Sequence, residues 1–423
     1  MRRPSLPRRA ALLAALLAAL PPLASAAGGR LLSWQDCVDL ALLRNPALAS
    51  SRQSVEQKRA DYKGSYNGLL PAASLSNSYS DSNASGPQKW SGQLSANVQL
   101  FNAGKIADVK SASAALGQSE AALRQESAGL RFSLRQAFVE VLFSQEDIEV
   151  SRRVRDLRER DAKLVALRYD SGRESKGSMM RAKAQLLQAQ ADLDQAFRLL
   201  RSNEKALDRE LGQDEFEALA ATGALAAATP PAAPEASLSL ALRRPDVAAQ
   251  EALVSGARAS LSVARSALVP TLSGSYSRGR SGESEFPSGG SSWSAGLSLS
   301  YPLFGGGPTA AYYGIQSAQR ALEAARQNLR AAREAAVADI ESAWASYAGA
   351  VDQVAVERAL LEAARQRNDE ADVRYASGLL SYDEWEIIAS DRISTERQAI
   401  SAELNSALAQ AAWQKAVGKE LGE

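Results

Sequence analysis

The chain of 423 residues has no histidine, a single cysteine and only three methionines. Without histidine, Ser-His-Asp and Cys-His chemistry is excluded, and nearly all zinc sites go with it. Cys37 stands alone, so no internal disulfide can form. Set in "SWQDCVDLAL", it is poorly placed for lipid attachment and reads as a small residue on a helix face. The scarcity of Met, His and Cys gives no support for soft-metal cargo. Long hydrophobic runs are missing too. No segment reaches about 18 consecutive apolar residues, so no helical membrane span is expected. The Gly-rich "FGGGP" at 304–308 lacks the lysine and hydroxyl of a phosphate loop. No cluster of converging polar residues emerges, and neither an enzyme nor a cofactor is expected.

What is present begins with a leader. Arg2, Arg3, Arg8 and Arg9 precede the run "AALLAALLAAL", and "ASA" follows at 24–26. Residues 1–26 are therefore expected to be a secretory signal peptide, with an apolar run too short to span a bilayer. Its four arginines and no acids take the formal net charge from +1 to −3 on removal. A basic footprint for nucleic acid is absent, and no nucleic-acid partner is expected.

The strongest internal signal is a repeat. "WSGQLSANVQLFNAGK" at 90–105 returns as "WSAGLSLSYPLFGGGP" at 293–308. "RNPAL" (44–48) returns as "RRPDV" (243–247), and "RYDSG" (168–172) as "RYASG" (374–378). Pro71 and Pro270 also correspond. The offset grows along the chain, and "RELG" and "KELG" extend it at 209–212 and 419–422. Two copies of one unit are expected, at 27–211 and 237–423, joined by a linker at 212–236.

Each unit reads as helix, β-hairpin, long helix, tight turn, helix. The hairpins fall at about 71–101 and 270–304. The long helices fall at about 105–168 and 310–376, each on the order of 100 Å at about 1.5 Å per residue. In the first unit, 35–67 and 178–211 read as the flanking helices, each about half that length. Leu134, Phe138, Val141, Gln145 and Ile148 follow coiled-coil spacing, as do Ile340, Trp344, Tyr347, Val351 and Val354. The strands alternate strictly, with Leu94, Ala96, Val98 and Leu100 against Gln93, Ser95, Asn97 and Gln99.

Two architectures accommodate such strands. A soluble periplasmic coiled-coil scaffold would lay them on a helix layer. A membrane barrel would turn the apolar faces to lipid and the polar faces to water. Trp90, Phe101, Trp293, Tyr301 and Phe304 are placed as interface aromatics by this second reading. Four strands cannot close a barrel alone, because open edges are not tolerated in lipid. Several chains would have to share it.

In order and twice over, "LSWQDCVDLALLRNPAL", "LLPAASLSNSYS" with "LVPTLSGSYS", "QLFNAG" with "PLFGGG", and "RYDSG" with "RYASGLLSYDEWEII" resemble the TolC-like outer membrane efflux proteins. The resemblance spans essentially the whole mature chain. It implies a mostly α protein with membrane β: a homotrimer in which a 12-stranded outer-membrane β-barrel continues into a 12-helix periplasmic α-barrel. Such a duct passively conducts substrates outward in tripartite efflux or type I secretion. Its implied partners are a periplasmic adaptor (membrane fusion) protein, an inner-membrane transporter of RND, ABC or MFS type, and outer-membrane lipid. The "RY..SG" turns resemble the family's periplasmic tips, placing Tyr169, Ser171, Gly172, Arg173, Tyr375, Ser377, Gly378 and Leu379 at adaptor contacts. Asp383, Glu384 and Glu386 map near the acidic ring of the pore constriction. Glu384 matches one ring position, while the family's second acid falls on Ile387. The first tip carries Arg173, Lys176 and Arg181 instead, and an attraction between oppositely charged tips would hold the pore closed.

Overall fold

The computed structural model describes residues 30–81, 89–213, 218–225, 229–230, 237–303 and 309–422. The expected leader and Phe304 lie outside them. The elements run β1 (Arg30–Leu32), α1 (Trp34–Arg44), α2 (Pro46–Ser65), β2 (Ala72–Ser80), β3 (Lys89–Phe101), α3 (Ala103–Asp170) and α4 (Lys176–Leu211). Then come β4 (Leu219–Ala221), α5 (Ser237–Ala241), α6 (Pro245–Ser266), β5 (Thr271–Gly282), β6 (Ser291–Ser300), α7 (Ala310–Ala376) and α8 (Tyr382–Ala416).

Helices α3 and α7, of 68 and 67 residues, are the full-length rods. At about 1.5 Å per residue each is on the order of 100 Å long. The half-length helices pack beside them, α2 and α4 on α3, and α6 and α8 on α7, with α6 and α8 also meeting α3. The seam Leu134, Phe138, Val141 and Ile148 is buried, and so are Ile340, Tyr347 and Val354. Ala107, Ala114, Ala121 and Ala128 continue a seven-residue stripe up α3, and Ala182, Ala189 and Ala196 do so on α4. A sevenfold repeat keeps one stripe facing its neighbour, and alanine lets the helices approach closely.

The helix expected across 35–67 is divided. Asn45 leaves the helical region, its Oδ1 accepts from the Leu48 amide at 3.0 Å, and Pro46 opens α2. A proline at the first helical position loses nothing, since that amide has no intrahelical partner. The break is a joint. Asn45 Nδ2 donates to the Glu210 carbonyl at 2.9 Å, where α4 ends. Gly212, at φ +70°, caps α4 against the same spot; a Cβ there would stand 2.5 Å from the Arg44 carbonyl oxygen. In the second half Gly418, at φ +79°, caps α8 against Arg244 and Pro245. Gly418 thus stands where Gly212 does, 206 residues on. The match of "KELG" (419–422) to "RELG" (209–212) is therefore corrected: it pairs Gly212 with Gly422, which has no neighbour to avoid.

The segment expected as linker also differs. It contains β4, which pairs in parallel with β1 and is buried at Leu219 and Ala221. This short sheet covers a core of Leu32, Leu134, Phe138 and Leu211 near the middle of the rods. Arg131 fastens the C-terminal end to it, donating to the carbonyls of Glu420 and Leu421. Cys37 is fully buried there, and burial pushes its thiol up to about 12. It is a packing residue with no thiolate at neutral pH.

The four long strands form one antiparallel sheet, in the order β2-β3-β5-β6. The hairpins are stitched together by β3 and β5, leaving β2 and β6 as unpaired edges. A bulge interrupts the β3–β5 register between Gln99 and Phe101.

Candidate functional site

Two regions carry no internal structural justification for their chemistry: the sheet at one end of the rods and the turns at the other. The sheet has two unlike faces. Registers align Leu75 with Leu94, Ala96 with Tyr276, Gly274 with Leu297, and Leu272 with Leu299 on one side. On the other side stand Ser74 with Ser95, Ser78 with Ser91, and Ser277 with Ser294. Those three serine pairs share hydroxyl hydrogen bonds of 2.8–2.9 Å. Among the described residues no helix covers the apolar side. Leu75 is 80% exposed, Leu297 75% and Trp293 71%.

The aromatics lie at two levels. Tyr79 and Trp90 pack at 5.1 Å near the hairpin ends, with Trp293 one strand pair away; Phe101 and Tyr301 sit at the helix end. Eleven residues separate Trp90 from Phe101 on β3. That is roughly 37 Å along a strand, or about 26 Å of height at a tilt near 45°.

At the far end α3 and α7 each reverse through a left-handed glycine, Gly172 (φ +72°) and Gly378 (φ +79°). The Gly172 amide donates to the Tyr169 carbonyl and the Arg173 amide to that of Arg168; Gly378 and Leu379 repeat the pattern with Tyr375 and Arg374. Ser175 and Ser381 then cap α4 and α8. Ser171, Gly172, Arg173, Ser377, Gly378 and Leu379 are exposed at these turns, and Tyr169 is half-buried.

Tyr375 is not on that surface. It is fully buried and stacked on Trp385, with ring centroids 4.4 Å apart and planes 9° from parallel. Arg168 of α3 lies 4.5 Å above the tyrosine ring and donates to the Tyr375 carbonyl. The Tyr375 hydroxyl donates to Glu174 at 3.0 Å, and Trp385 Nε1 donates to Asp372 at 2.6 Å. Burial, then the Glu174 hydrogen bond, hold the phenol well above its usual range. These contacts tie one turn to the other. Arg168, Glu174, Asp372 and Trp385 were not singled out from sequence, although the spacing Asn368, Ala371, Tyr375 continues a buried helical seam.

The acids divide. Glu384 is exposed, and its carboxylate accepts from the Ser381 amide and hydroxyl in a capping box; these bonds hold it below the usual carboxylate range. Asp383 is exposed, 3.7 Å from Arg181. Glu386 departs from the expectation of a pore-lining acid. It is buried, paired with Arg181 at 3.3 Å, and accepts from Gln185 and from Ser390. Ile387 takes the exposed face instead. Arg173 and Lys176 form no ion pair among the described residues; of the three first-tip cations it is Arg181 that meets the second tip's acids, Asp383 and Glu386.

Beneath this layer lies Asp161, against Arg158 and Arg160 on its own helix, Asp372 on α7 and Arg392 on α8. Burial pushes its carboxyl up to about 6, partly offset by Arg158. A folded-state value raised above 3.8 favours the folded tip at acid pH, and that contribution is lost as pH rises through 6. Asp161→Asn is expected to raise thermal stability at pH 7 and to flatten its change between pH 4.5 and 7. Equal pH dependence in both proteins would refute this role.

A family model described as "Outer membrane efflux protein" matches residues 37–213 and 237–419. No curated protein matches the chain by sequence. Among solved structures the fold is similar to that of CusC, with 17% identity, a TM-score of 0.82 and 91% of each chain covered. The Campylobacter jejuni CmeC outer membrane channel shares 17% identity at a TM-score of 0.80, covering 92% of this chain and 87% of that one. The Neisseria gonorrhoeae MtrE outer membrane channel, solved in its open state, shares 23% at 0.78, covering 92% and 89%.

Proposed function

Because this chain belongs to the outer membrane efflux protein family, and is thus an outer-membrane exit duct, we propose that three copies close it. Three four-stranded sheets make a 12-stranded barrel. The observation that carries this reading is the bare sheet: apolar on one face, hydroxyl-lined on the other, with both edges unpaired. A soluble scaffold would bury that apolar face on its own helices. Lipid is the solvent that makes its exposure favourable, and closure by further chains satisfies the edges.

The same reading makes the duct passive and non-enzymatic. Energy and substrate choice belong to an inner-membrane transporter of RND, ABC or MFS type, reached through a periplasmic adaptor. The exposed turn residues, with Leu379 the most prominent apolar one, are the surface for that adaptor. Tyr375 supports them from behind. Type I secretion uses the same kind of duct.

The narrow end is assigned to Glu384 and Asp383, each repeated three times around the axis, as in other acidic pores. Purified protein in a planar bilayer should give discrete channels preferring cations. Glu384→Gln keeps the capping geometry, since glutamine serves at that helix position, yet removes three charges per trimer. Its cation preference should fall severalfold. A preference equal to wild type would remove Glu384 from the constriction, and failure to insert at all would remove the barrel.

A further inference from the structure

On the apolar face of β5, where lipid is expected, stand two arginines. Arg278 is registered between Leu94 and Trp293, and Arg280 between Gly92 and Ser291. Both side chains share the face of Leu75 and Tyr276, because residues two apart on a strand point the same way. Neither forms an ion pair or a hydrogen bond among the described residues. An arginine facing lipid costs about 2–4 kcal/mol at mid-bilayer and about 0–1 near an interface. Two adjacent unpaired ones therefore mark the interface, or a partner, or both.

Their surroundings are built. The loop after β5 folds back on this face: Asn77 Nδ2 donates to the Glu285 carbonyl at 2.7 Å, and Phe286 lies 81% exposed beside it. A groove of about 420 Å³ results, with Arg278 and Arg280 on its floor among Leu75, Leu94 and Phe286. Gly92 beside Arg280 leaves room that a side chain would fill. Guanidinium and apolar wall lie together, at the level of the upper aromatics.

We infer that this groove binds the phosphorylated headgroup of an outer-leaflet glycolipid, with Arg278 and Arg280 clasping phosphate and Leu75, Leu94 and Phe286 lining the first part of an acyl chain. Two unpaired cations and an anionic headgroup are complementary in charge. A guanidinium presents paired donors that match phosphate, and pairing removes the cost of leaving it bare near hydrocarbon. β5 is flanked by strands of its own chain, so each protomer holds a complete site and a trimer holds three. The inference rests on the barrel reading, which sets this face against lipid.

The test uses full-length protein in detergent, titrated with diphosphorylated lipid A, its dephosphorylated form, and phosphatidylglycerol. Tryptophan fluorescence is the readout, since Trp293 is the direct cross-strand neighbour of Arg278. Saturable binding of the diphosphorylated lipid is expected. It should weaken at least tenfold in the Arg278→Gln/Arg280→Gln double variant and for the dephosphorylated lipid, with the double lysine variant intermediate. Equal binding by the glutamine variant, or equal binding of phosphatidylglycerol, overturns the assignment. Channel conductance, recorded on the same samples, separates the two failures. If wild type forms no channels, the barrel reading falls; if channels form and the glutamine variant still binds, only the lipid site falls.

Discussion

Leu297→Arg is expected to abolish insertion and trimer assembly, while Ser298→Arg, one residue on, leaves both intact. Leu297 stands in β6 opposite Gly274, on the apolar face, far from both aromatic levels. Arginine at mid-bilayer costs about 2–4 kcal/mol. Threefold repetition raises this to roughly 6–12 kcal/mol per assembly, comparable to the whole stability of a folded domain. Ser298 points to the opposite face, which the proposed barrel turns to water. The measurement is the amount of heat-modifiable oligomer in outer-membrane fractions, followed by conductance. If both variants assembled equally, the faces would be equivalent and the barrel reading would be lost.

The second large effect is at the tip. Tyr375→Ala should raise single-channel conductance severalfold without loss of the oligomer. The ion pair of Arg181 with Asp383 is exposed on both sides, and exposed pairs contribute about 0–1 kcal/mol. Tyr375 and Trp385 are buried, with Arg168 half-buried against them, and truncating a buried aromatic costs about 3–5 kcal/mol. The stack therefore outweighs the exposed pair in holding the α7–α8 turn to the α3–α4 turn, alongside buried Glu386, which pairs with Arg181 and accepts from Gln185. Tyr375 lies the whole length of α7 from the sheet, so assembly in the membrane should be untouched. Tyr375→Phe keeps the ring contacts and loses only the bond to Glu174, and should open the tip much less. A Tyr375→Ala protein that is less stable but conducts as wild type would separate the stack from gating.

Much of this was legible in the chain because it follows simple periods. Alternation over β3 and β6 marks strands, and sevenfold spacing marks α3 and α7. What was missed depends on distant partners. β1 and β4 are three residues each and pair across nearly 190 positions, too short for any period to show. Asn45–Pro46 did carry a helix-start signal, yet it lay inside an otherwise helical pattern and its meaning comes from the end of α4. "KELG" resembles "RELG" in letters, whereas Gly418 shares the backbone conformation of Gly212 and meets Arg244 and Pro245 at the corresponding joint of the second unit. Glu386 shows how phase decides a site. Two positions past Glu384, it faces Arg181 and Ser390, and charge pattern alone cannot show which way a helix is turned.

The polar face of the sheet has a consequence of its own. Serine, threonine, glutamine and asparagine line it, with an alanine and two glycines and no charge among the described side chains. Such a wall wets readily but has no sign, so ions of either polarity and solutes of either character meet the same surface. It also offers little to stick to, because the paired serine hydroxyls are already engaged with one another. Transit through the barrel should therefore be governed by width alone, a low-friction sleeve downstream of whatever sorting happens at the far end.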